Sequence, residues 1–330
     1  MPFSLAHGGG AIQIQQTMAA LQAIGIDVRP LHWWEPHQPG DILHVFGRVH
    51  GQYASLAKGK GLTFVFSDLL TQQGSRTWLQ RIPHFFLRQV DRATRGRIIA
   101  AQFGWTTYRM ADAVIALTPW ERILMIEMFG PRPDRIHVVP NGVEEVFLKA
   151  ESGKLKAERG EWLVCTATVT ERKRVLELAE AATVARTPVW IIGKPYSESD
   201  PYYRRFQQVV GSSGGVVRYE GGISDRARMA EIYQSARGFV LLSTMESLSL
   251  SALEAAAAGC PLLLSDLPWA RCTFEQRASY CPIASPVATA SLLKAFYDDA
   301  PGRPLPDRPA TWREVAVQLK GIYEGLLASR

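Results

Sequence analysis

The sequence predicts an α/β protein made of two doubly wound, Rossmann-like domains that face a cleft. Short apolar runs, typical of buried parallel strands, alternate with helical patterns in both halves of the chain. At 330 residues the chain is long enough for two cores of ordinary size. A charged stretch with two glycines, residues 148–161, lies between the halves and is interpreted as a linker.

The amino-acid composition indicates what class of protein this chain belongs to. The chain is 47% hydrophobic and 21% charged, which is typical of a soluble globular protein. It has no apolar run near the ~20 residues that span a bilayer, and its start lacks the features of a secretion signal. Its four cysteines form no CxxC pattern, which indicates reduced thiols, a cytoplasmic location and no metal site.

The chain begins with an apolar stretch and three glycines. A helical pattern follows Gly8, Gly9 and Gly10, and Ile26-Asp27-Val28 comes after it, so residues 3–28 predict strand, turn, helix and strand. Because glycine has no Cβ, Gly9 and Gly10 would let the backbone approach a ligand closely. A plain tight turn explains the glycines equally well.

Two more buried strands are predicted at residues 41–46 and 62–66. His44 lies within the first of them and is interpreted as a packed core histidine rather than a ligand. The dipeptide Ser67-Asp68 ends the second strand.

Residues 75–110 form the basic segment of the chain. They hold seven arginines and one acidic residue, a net charge of +6 that equals the net charge of the whole protein. Aromatic and aliphatic residues alternate with the arginines, and Pro83 is expected to interrupt the helix. Such a segment suits an anionic membrane surface or an anionic substrate, or is a solvated face over core. No nucleic-acid module is recognisable, so nucleic acid is not predicted as a partner.

Residues 111–147 predict a strand, a helix and a second strand. A strand at 113–117 is followed by Thr118, a good N-cap, and by Glu121 at the third helical position, which together form a capping box. The helix is expected to end at Gly130, before a strand at 136–139 and a turn that contains Asn141.

The second half begins with a strand at 162–167, a turn at 168–174 and a helix at 175–184. Arg172 and Lys173 stand at the helix start. Cations at the start of a helix oppose its dipole, which indicates that these two residues have a role other than helix stabilisation. The alternative is that they are simply a solvated basic helix start. A further strand at 189–192 leads to Gly193, and a strand and turn at 216–222 carry Tyr219, Glu220 and Gly221.

The most informative stretch runs from Ser243 to Pro268, after a strand at 238–242. Glu246 lies in the turn and Glu254 inside an alanine-rich helix that Gly259 ends. A carboxylate at the carboxyl end of such a strand faces the crevice where open α/β sheets bind ligands. Four amides are expected to open the helix and to be free for an anion, those of Ser247, Leu248, Ser249 and Leu250.

Spacing alone leaves these glutamates open to a simpler interpretation, as dipole compensation and a solvated helix face. The E-x7-E spacing, the alanine-rich helix, Gly-Cys-Pro and the apolar strand ending in Ser-Asp resemble the donor-site signature of the family-four GT-B glycosyltransferases. Ser247 and Ser249 replace two glycines of that signature. Residues 111–147 resemble the end of the family's first domain, with Asn141 at the hinge.

The resemblance implies a GT-B fold and a domain organisation. Residues 1–147 would form the N-terminal domain, on the acceptor and membrane side, and 148–310 the donor-binding domain. Residues 311–330 would form a closing helix that crosses back to the first domain. The implied activity is a retaining, metal-independent transfer of a sugar from a nucleoside diphosphate to a carbohydrate or lipid-linked acceptor, in polysaccharide or glycolipid synthesis. The implied location is cytoplasmic and peripheral at the membrane, and no cofactor is expected.

The resemblance also assigns roles. Lys173 and Arg172 would hold the donor diphosphate, with Thr168 where the family has an arginine. Glu254 would hold the ribose, and Glu246 the transferred sugar. The remaining expected donor contacts are Ser247, Leu248, Ser249, Leu250, Gly9, Gly10, Asn141, Gly193, Tyr219 and Gly221.

Two alternatives remain. Ser67 stands where the family often has a histidine that reaches the sugar, which favours a non-catalytic GT-B partner or a sugar-nucleotide sensor. A nucleotide-sugar epimerase with the same fold is the other, and it needs acid and base groups that the sequence does not identify.

Overall fold

The computed structural model describes residues 8–32, 34–35, 37–76, 78–148 and 160–329. Two compact units make up the chain: Met1–Gly142 with Glu246–Leu248 and Trp312–Arg330, and Val143–Met245 with Ser249–Thr311. The strand expected before Gly8 and most of the expected linker lie outside the described residues.

A parallel four-stranded sheet forms the centre of the first unit, in the order β1-β2-β3-β4. The strands are β1 Ile42–Phe46, β2 Thr63–Ser67, β3 Ala113–Ala116 and β4 Ile136–Val138. His44 pairs with Val65 in the register of β1 and β2, and Val65 with Ala113 in that of β2 and β3. These strands confirm the apolar runs as sheet, because β2 and β3 are buried along their whole length.

Helices connect these strands. They are α1 Gly9–Ala23, α2 Gly51–Gly59, α3 Thr71–Gly74, α4 Trp78–Ala93, α5 Ile99–Gln102, α6 Thr106–Met110 and α7 Pro119–Phe129. Side chains from α2, α6 and α7 pack on β2 and β3 in one hydrophobic core. Across the part of the chain that the structure describes, no helix combines the length and apolar composition needed to cross a bilayer.

Six parallel strands form the sheet of the second unit, in the order β10-β9-β8-β5-β6-β7. They are β5 Leu163–Thr166, β6 Val189–Ile192, β7 Val217–Tyr219, β8 Gly238–Leu241, β9 Leu262–Ser265 and β10 Ser279–Cys281. The helices of this unit are α8 Val175–Ala185, α9 Pro201–Ser212, α10 Arg226–Ser235, α11 Leu250–Ala257, α12 Pro268–Phe274 and α13 Pro286–Asp299. The sequence did not predict β10, which has three residues in a proline-rich region.

The strand order of the second sheet reverses between β5 and β8. Strand β5 pairs with β6 on one side and with β8 on the other, so the chain moves outward in both directions from this pair. Ligands of doubly wound sheets bind at such a switch point, outside the carboxyl ends of the strands. The loops that follow β5 and β8 therefore hold the residues of this unit that are best placed to contact a ligand.

The last helix, α14 Trp312–Ala328, belongs to the first unit and packs against α1. Gln318 Nε2 donates to the carbonyl of Val138 at 2.9 Å, at the end of β4. Tyr323 Oη lies 2.6 Å from His44 Nδ1 on β1. These bonds attach the end of the chain to the first sheet.

Three local expectations were wrong. Gly9 and Gly10 are the first residues of α1, not a turn, and Gly8 precedes them with φ 151°. Residues 26–28 form no strand, and the Val28 carbonyl accepts instead from Gln22 Nε2 of α1 at 2.9 Å. Helix α4 continues through Pro83. The proline removes one bond, to the carbonyl of Leu79, and that residue is exposed, so water can replace the bond.

Candidate functional site

The loops after β5 and β8 are joined by hydrogen bonds at the switch point. The Arg172 carbonyl accepts from the Thr244 amide at 2.8 Å and from Thr244 Oγ1 at 3.2 Å. Arg172 Nη1 donates to the Met245 carbonyl at 2.9 Å. Two motifs that lie far apart in the sequence thus meet, and Arg172 uses part of its guanidinium to hold the second loop.

Lys173 ends the short 3-10 turn Glu171–Lys173 that carries Arg172. Burial raises the pKa of the Cys165 thiol to about 12, and the charge of Lys173 acts in the opposite direction. The charge of Lys173 thus acts on β5, in line with the place of this residue in the turn that follows the strand.

Glu246, Ser247 and Leu248 pack within the first unit. Ser75 Oγ accepts from the Glu246 amide at 3.2 Å, and Thr71 Oγ1 lies 2.9 Å from Ser247 Oγ. The Leu248 carbonyl accepts from Asn141 Nδ2 at 3.3 Å. Asn141 Oδ1 is buried and has no hydrogen-bond partner among the described residues, so it can accept from a ligand.

Helix α11 begins later than predicted. Its first residue is Leu250, and Ser249 is the N-cap, whose Oγ accepts from the Ala252 amide at 3.4 Å. The bonds to Ser75, Thr71 and Asn141 hold residues 246–248 outside the helix. The first helical amides therefore belong to Leu250 and Ser251, and the expected use of the Ser247 and Leu248 amides as helix opening was wrong.

Glu254 lies buried in α11 and is paired with Arg226. Arg226 Nη2 donates to Oε1, and Tyr233 Oη lies 3.5 Å from Oε2. Arg226 Nε also donates to Glu144 at 2.8 Å. Burial raises the pKa of the Glu254 carboxyl, while the neighbouring Arg226 charge lowers it. The arginine thus favours the ionised form, which can accept hydrogen bonds from hydroxyl groups.

Sequence reasoning missed Arg226 and Glu144. Arg226 is the first residue of α10, after the N-cap Asp225. A cation at that position opposes the helix dipole. The same argument that drew attention to Arg172 and Lys173 would have found Arg226.

Gly193, Tyr219 and Gly221 come together beyond β6 and β7. The Gly193 amide donates to the Gly221 carbonyl at 2.6 Å, and Tyr219 Oη donates to the Gly193 carbonyl at 2.8 Å. A Cβ on Gly193 would lie 1.8 Å from the Ala167 carbonyl oxygen, so the close approach of two loops requires glycine here. Glu220 pairs with Arg218 and Arg228.

His44 confirms its interpretation as a packed histidine. Its Nδ1 lies 2.6 Å from Tyr323 Oη, and its Nε2 lies 2.7 Å from Ser67 Oγ. Burial lowers the pKa of His44 to about 3, so the ring is neutral. Ser67, which replaces the family's histidine, is thus bonded inside the first unit. Gln13 and Thr17 of α1 line one small cavity with Ser67 and Asn141.

Glu121 lies under the loop that holds Ser247, and sequence reasoning assigned it only a cap. Thr118 Oγ1 accepts from the Glu121 amide at 3.1 Å, as predicted. The carboxylate does not complete the capping box, because it accepts from the amides of Leu70 at 3.0 Å and Leu117 at 2.9 Å. The Ser247 hydroxyl bonds to it as well. Burial raises the pKa of Glu121 to about 7.

Among the described residues, the cysteines and the other possible metal ligands form no metal-binding cluster. The four cysteines are free thiols. Within the described ranges, no three His, Cys, Asp or Glu side chains are close enough together to hold a metal ion.

Two known proteins are similar in sequence to part of this chain. A mannosylfructose-phosphate synthase of Agrobacterium fabrum is 26% identical over 48% of this chain and 38% of its own length. A D-inositol 3-phosphate glycosyltransferase of Nocardia farcinica is 28% identical, again over 48% of this chain and 38% of its own length. The matches thus span well under two thirds of these relatives.

Solved structures share the fold. A sucrose-phosphate synthase from Thermosynechococcus elongatus superposes with a TM-score of 0.70 at 17% identity, over 98% of this chain and 94% of that one. WaaG, a glycosyltransferase involved in lipopolysaccharide biosynthesis, gives 0.60 at 15% identity, over 97% and 92%. Anabaena HepE in complex with UDP and glucose gives 0.58 at 15%, over 88% and 78%. The predicted GT-B fold is confirmed.

Family models match both halves of the chain. The model described as glycosyl transferase 4-like domain matches residues 29–142. The model described as glycosyl transferases group 1 matches residues 160–299, which include both joined loops. The chain therefore belongs to the group 1 glycosyltransferases.

Proposed function

We propose that this chain is a retaining glycosyltransferase. It moves a sugar from a nucleoside diphosphate to an acceptor hydroxyl and keeps the configuration of the anomeric carbon. The observation that carries the proposal is the bonding of Arg172 to Thr244 and Met245 at the switch point. Lys173 follows Arg172 in the sequence and Glu246 follows Met245, which supports a role for both residues. The family supports the proposal, and Anabaena HepE has been solved with UDP-glucose.

The departing diphosphate gains negative charge as the bond to the sugar breaks. Lys173 supplies a point charge, and the guanidinium of Arg172 donates planar hydrogen bonds. The amides of Leu250 and Ser251 begin α11 and point toward an anion at its N-terminus. Donors fixed in this way stabilise the charge without reorganisation, so the reaction is proposed to need no metal ion.

Carboxylates hold the sugars of the donor. Glu254 accepts hydrogen bonds from the ribose hydroxyls, and Arg226 keeps it ionised and oriented. Glu246 contacts the transferred sugar, and Asn141 Oδ1 accepts from the donor. The bonded group of Gly193, Tyr219 and Gly221 lies against the base.

A nucleotide screen tests the donor site. Thermal unfolding is followed with UDP, GDP, ADP and their common sugars, without metal. A ligand at 100 times its Kd adds about 2.7 kcal/mol of stability. We expect one nucleotide to raise the Tm of the parent and of Glu231→Ala, an exposed position on α10, but not of Glu254→Ala. No rise with any nucleotide would favour the non-catalytic alternative.

Turnover separates the remaining alternatives. We expect Lys173→Ala to lower kcat, because it removes a charge that acts on the leaving group. Product NMR should show the donor's anomeric configuration in a new glycosidic bond, whereas an epimerase would return an altered donor. If Lys173→Ala and Glu254→Ala both turned over like the parent, this assignment of the site would be wrong.

The proposed acceptor is a carbohydrate or a lipid-linked sugar, reached from the cytoplasmic face of a membrane. Helix α4 exposes an apolar stripe formed by Leu79, Ile82, Phe85, Phe86 and Val90. The exposed arginines 92, 95 and 97 follow the stripe directly. Asp91, the acidic residue of the segment, is buried and paired with Arg88 and Arg109. An apolar stripe beside arginines that have no carboxylate partner among the described residues matches an anionic bilayer surface.

Vesicle sedimentation tests the membrane contact. We expect the parent to sediment with vesicles that contain phosphatidylglycerol, and to do so less at high salt because screening weakens the charge term. The double variant Phe85→Ser, Phe86→Ser should stay in solution. Val317→Ser, an exposed apolar position on α14, is the matched control. Equal sedimentation of the parent with neutral and anionic vesicles would contradict the proposal.

A further inference from the structure

Three basic side chains of the first unit lie in the connections that follow β1 and β2. Arg48 follows β1, Arg76 follows α3, and His84 lies in α4. Arg48 Cζ lies 5.2 Å from the centroid of the Phe129 ring, and the His84 ring centroid lies 5.8 Å from that of the same ring. Arg48 and His84 therefore share a buried aromatic wall.

Arg48 is held in place from one side. Its Nη2 donates to Asp68 Oδ2 at 3.1 Å and lies 3.3 Å from Tyr108 Oη, and its Nε lies 3.4 Å from the same carboxylate oxygen. These bonds use Nε and Nη2. Among the described residues Nη1 makes no such bond, so a fixed N–H group remains for an anion.

His84 carries an unsatisfied buried nitrogen. Its Nε2 is buried and has no partner among the residues described, while its ring stacks on Trp105 at 5.2 Å. Burial lowers the pKa of His84, and the charges of Arg76 and Arg48 lower it further, so both guanidinium groups act on this ring. An anion between them would accept from Nε2–H and offset the repulsion.

The position of Arg76 connects this cluster to the proposed transfer site. Arg76 directly follows Ser75, whose Oγ accepts from the Glu246 amide at 3.2 Å and lies 3.4 Å from its carbonyl oxygen. The structure describes no side-chain bond for Arg76 within the residues that it covers, although the residue is half-buried. The backbone of Arg76 is thus one residue away from a direct contact of Glu246, the residue proposed to contact the sugar.

We propose that Arg48, Arg76 and His84 bind a phosphate group carried by the acceptor. Two guanidinium groups and an imidazole N–H match the tetrahedral oxygens of a phosphate ester, which arginine binds through paired N–H groups. The inference rests on the proposed function, because it takes Glu246 as the contact of the transferred sugar. The acceptor hydroxyl then belongs to a phosphorylated sugar or polyol.

Paired acceptors test the inference. Transfer is measured from the donor found in the nucleotide screen to hexoses and inositol, each with and without a phosphate. We expect the parent to prefer the phosphorylated member in kcat/KM. Arg76→Gln should reduce that preference roughly tenfold or more, because a charge-assisted bond is lost. Arg132→Gln, an exposed arginine that precedes β4, should keep it. Equal transfer to both members of every pair by the parent would overturn the proposal and leave the proposed function intact.

Phosphate binding decides the site independently of turnover. Inorganic phosphate is titrated into the full chain and the Tm is followed. We expect a rise for the parent and Arg132→Gln, and a smaller rise for Arg76→Gln and for His84→Phe, which keeps an aromatic ring. Identical rises in all four chains would overturn the proposal. If the parent transfers no sugar at all, the proposed function fails, and this titration still decides the site.

A second experiment distinguishes the two possible sources of the phosphate group, a soluble phosphorylated acceptor and a lipid headgroup. The same transfer is measured with a soluble sugar phosphate and with phosphatidylinositol in vesicles. Loss of preference in Arg76→Gln with the soluble ester supports a small phosphorylated acceptor. Loss only with the vesicles supports a lipid headgroup phosphate on the same residues.

Discussion

Glu121 should make the first unit less stable as the pH rises. Its side chain is buried, with the residue 1% exposed, and it accepts from the amides of Leu70 and Leu117. Burial raises the pKa of its carboxyl from 4.5 to about 7. The perturbation that isolates this carboxyl is Glu121→Gln, which keeps the shape and removes the titration.

The pKa values of Glu121 in the unfolded and folded states give the direction and the size of its effect on stability. Between 4.5 and about 7 the folded state keeps a proton that the unfolded state has lost. The stabilisation is therefore complete below pH 4.5 and is lost as the pH rises to about 7. At about 1.4 kcal/mol per pH unit, the interval corresponds to about 3 kcal/mol. In a unit of 150–250 residues each kcal/mol shifts the Tm by roughly 2–4 °C.

Thermal unfolding from pH 5 to 8 measures the effect. We expect the Tm of Glu121→Gln, taken relative to the parent, to rise by several degrees over this range. Glu127→Gln, an exposed position on the same helix, should parallel the parent. His84 and His137 have lowered pKa values because of burial, and they are present in all three chains, so their contribution cancels. Parallel curves for the parent and Glu121→Gln would refute the reasoning.

Three further changes test the second unit and the helix cap. Gly193→Ala should destabilise by several kcal/mol in urea unfolding, because its Cβ would lie 1.8 Å from the Ala167 oxygen; an unchanged midpoint would contradict this close approach. Arg226→Ala should lower the free energy of unfolding by about 3 kcal/mol and weaken nucleotide binding, because it leaves Glu254 buried without its cation. Unchanged nucleotide binding would show that this ion pair is not part of the donor site. Thr118→Ala should cost about 1 kcal/mol, and Thr118→Ser, the control, much less.

Sequence patterns found most elements because their signals are local. The capped helix α7 begins at Thr118 and ends at Gly130, which has a left-handed φ of 67°, and both ends were predicted from residue type. The strands before and after it were predicted from short apolar runs. The exceptions come from side-chain bonds that a pattern of residue types does not show. The Val28 carbonyl accepts from Gln22, six residues earlier, and residues 246–248 bond to Ser75, Thr71 and Asn141 before α11 begins.

The candidate site divides in the same way. The sequence predicted Glu246, Glu254, Arg172 and Lys173 from two motifs, but no pattern links residue 172 to residue 245. The hydrogen bonds between them exist because β5 and β8 are neighbours in the sheet. Sheet order is set by packing of the whole unit, so a local pattern cannot reveal it.

Taken alone, the sequence determined the α/β class, the family resemblance and the basic segment, and it supplied the residues of the candidate site. The structure alone decided which charges are neutralised. Glu254 is paired with Arg226, Asp91 with Arg88, and Arg48 with Asp68. Charges interact through space over a few ångströms, whereas sequence order fixes only neighbours along the chain. Tertiary folding therefore chose the partners that give each of these residues its role.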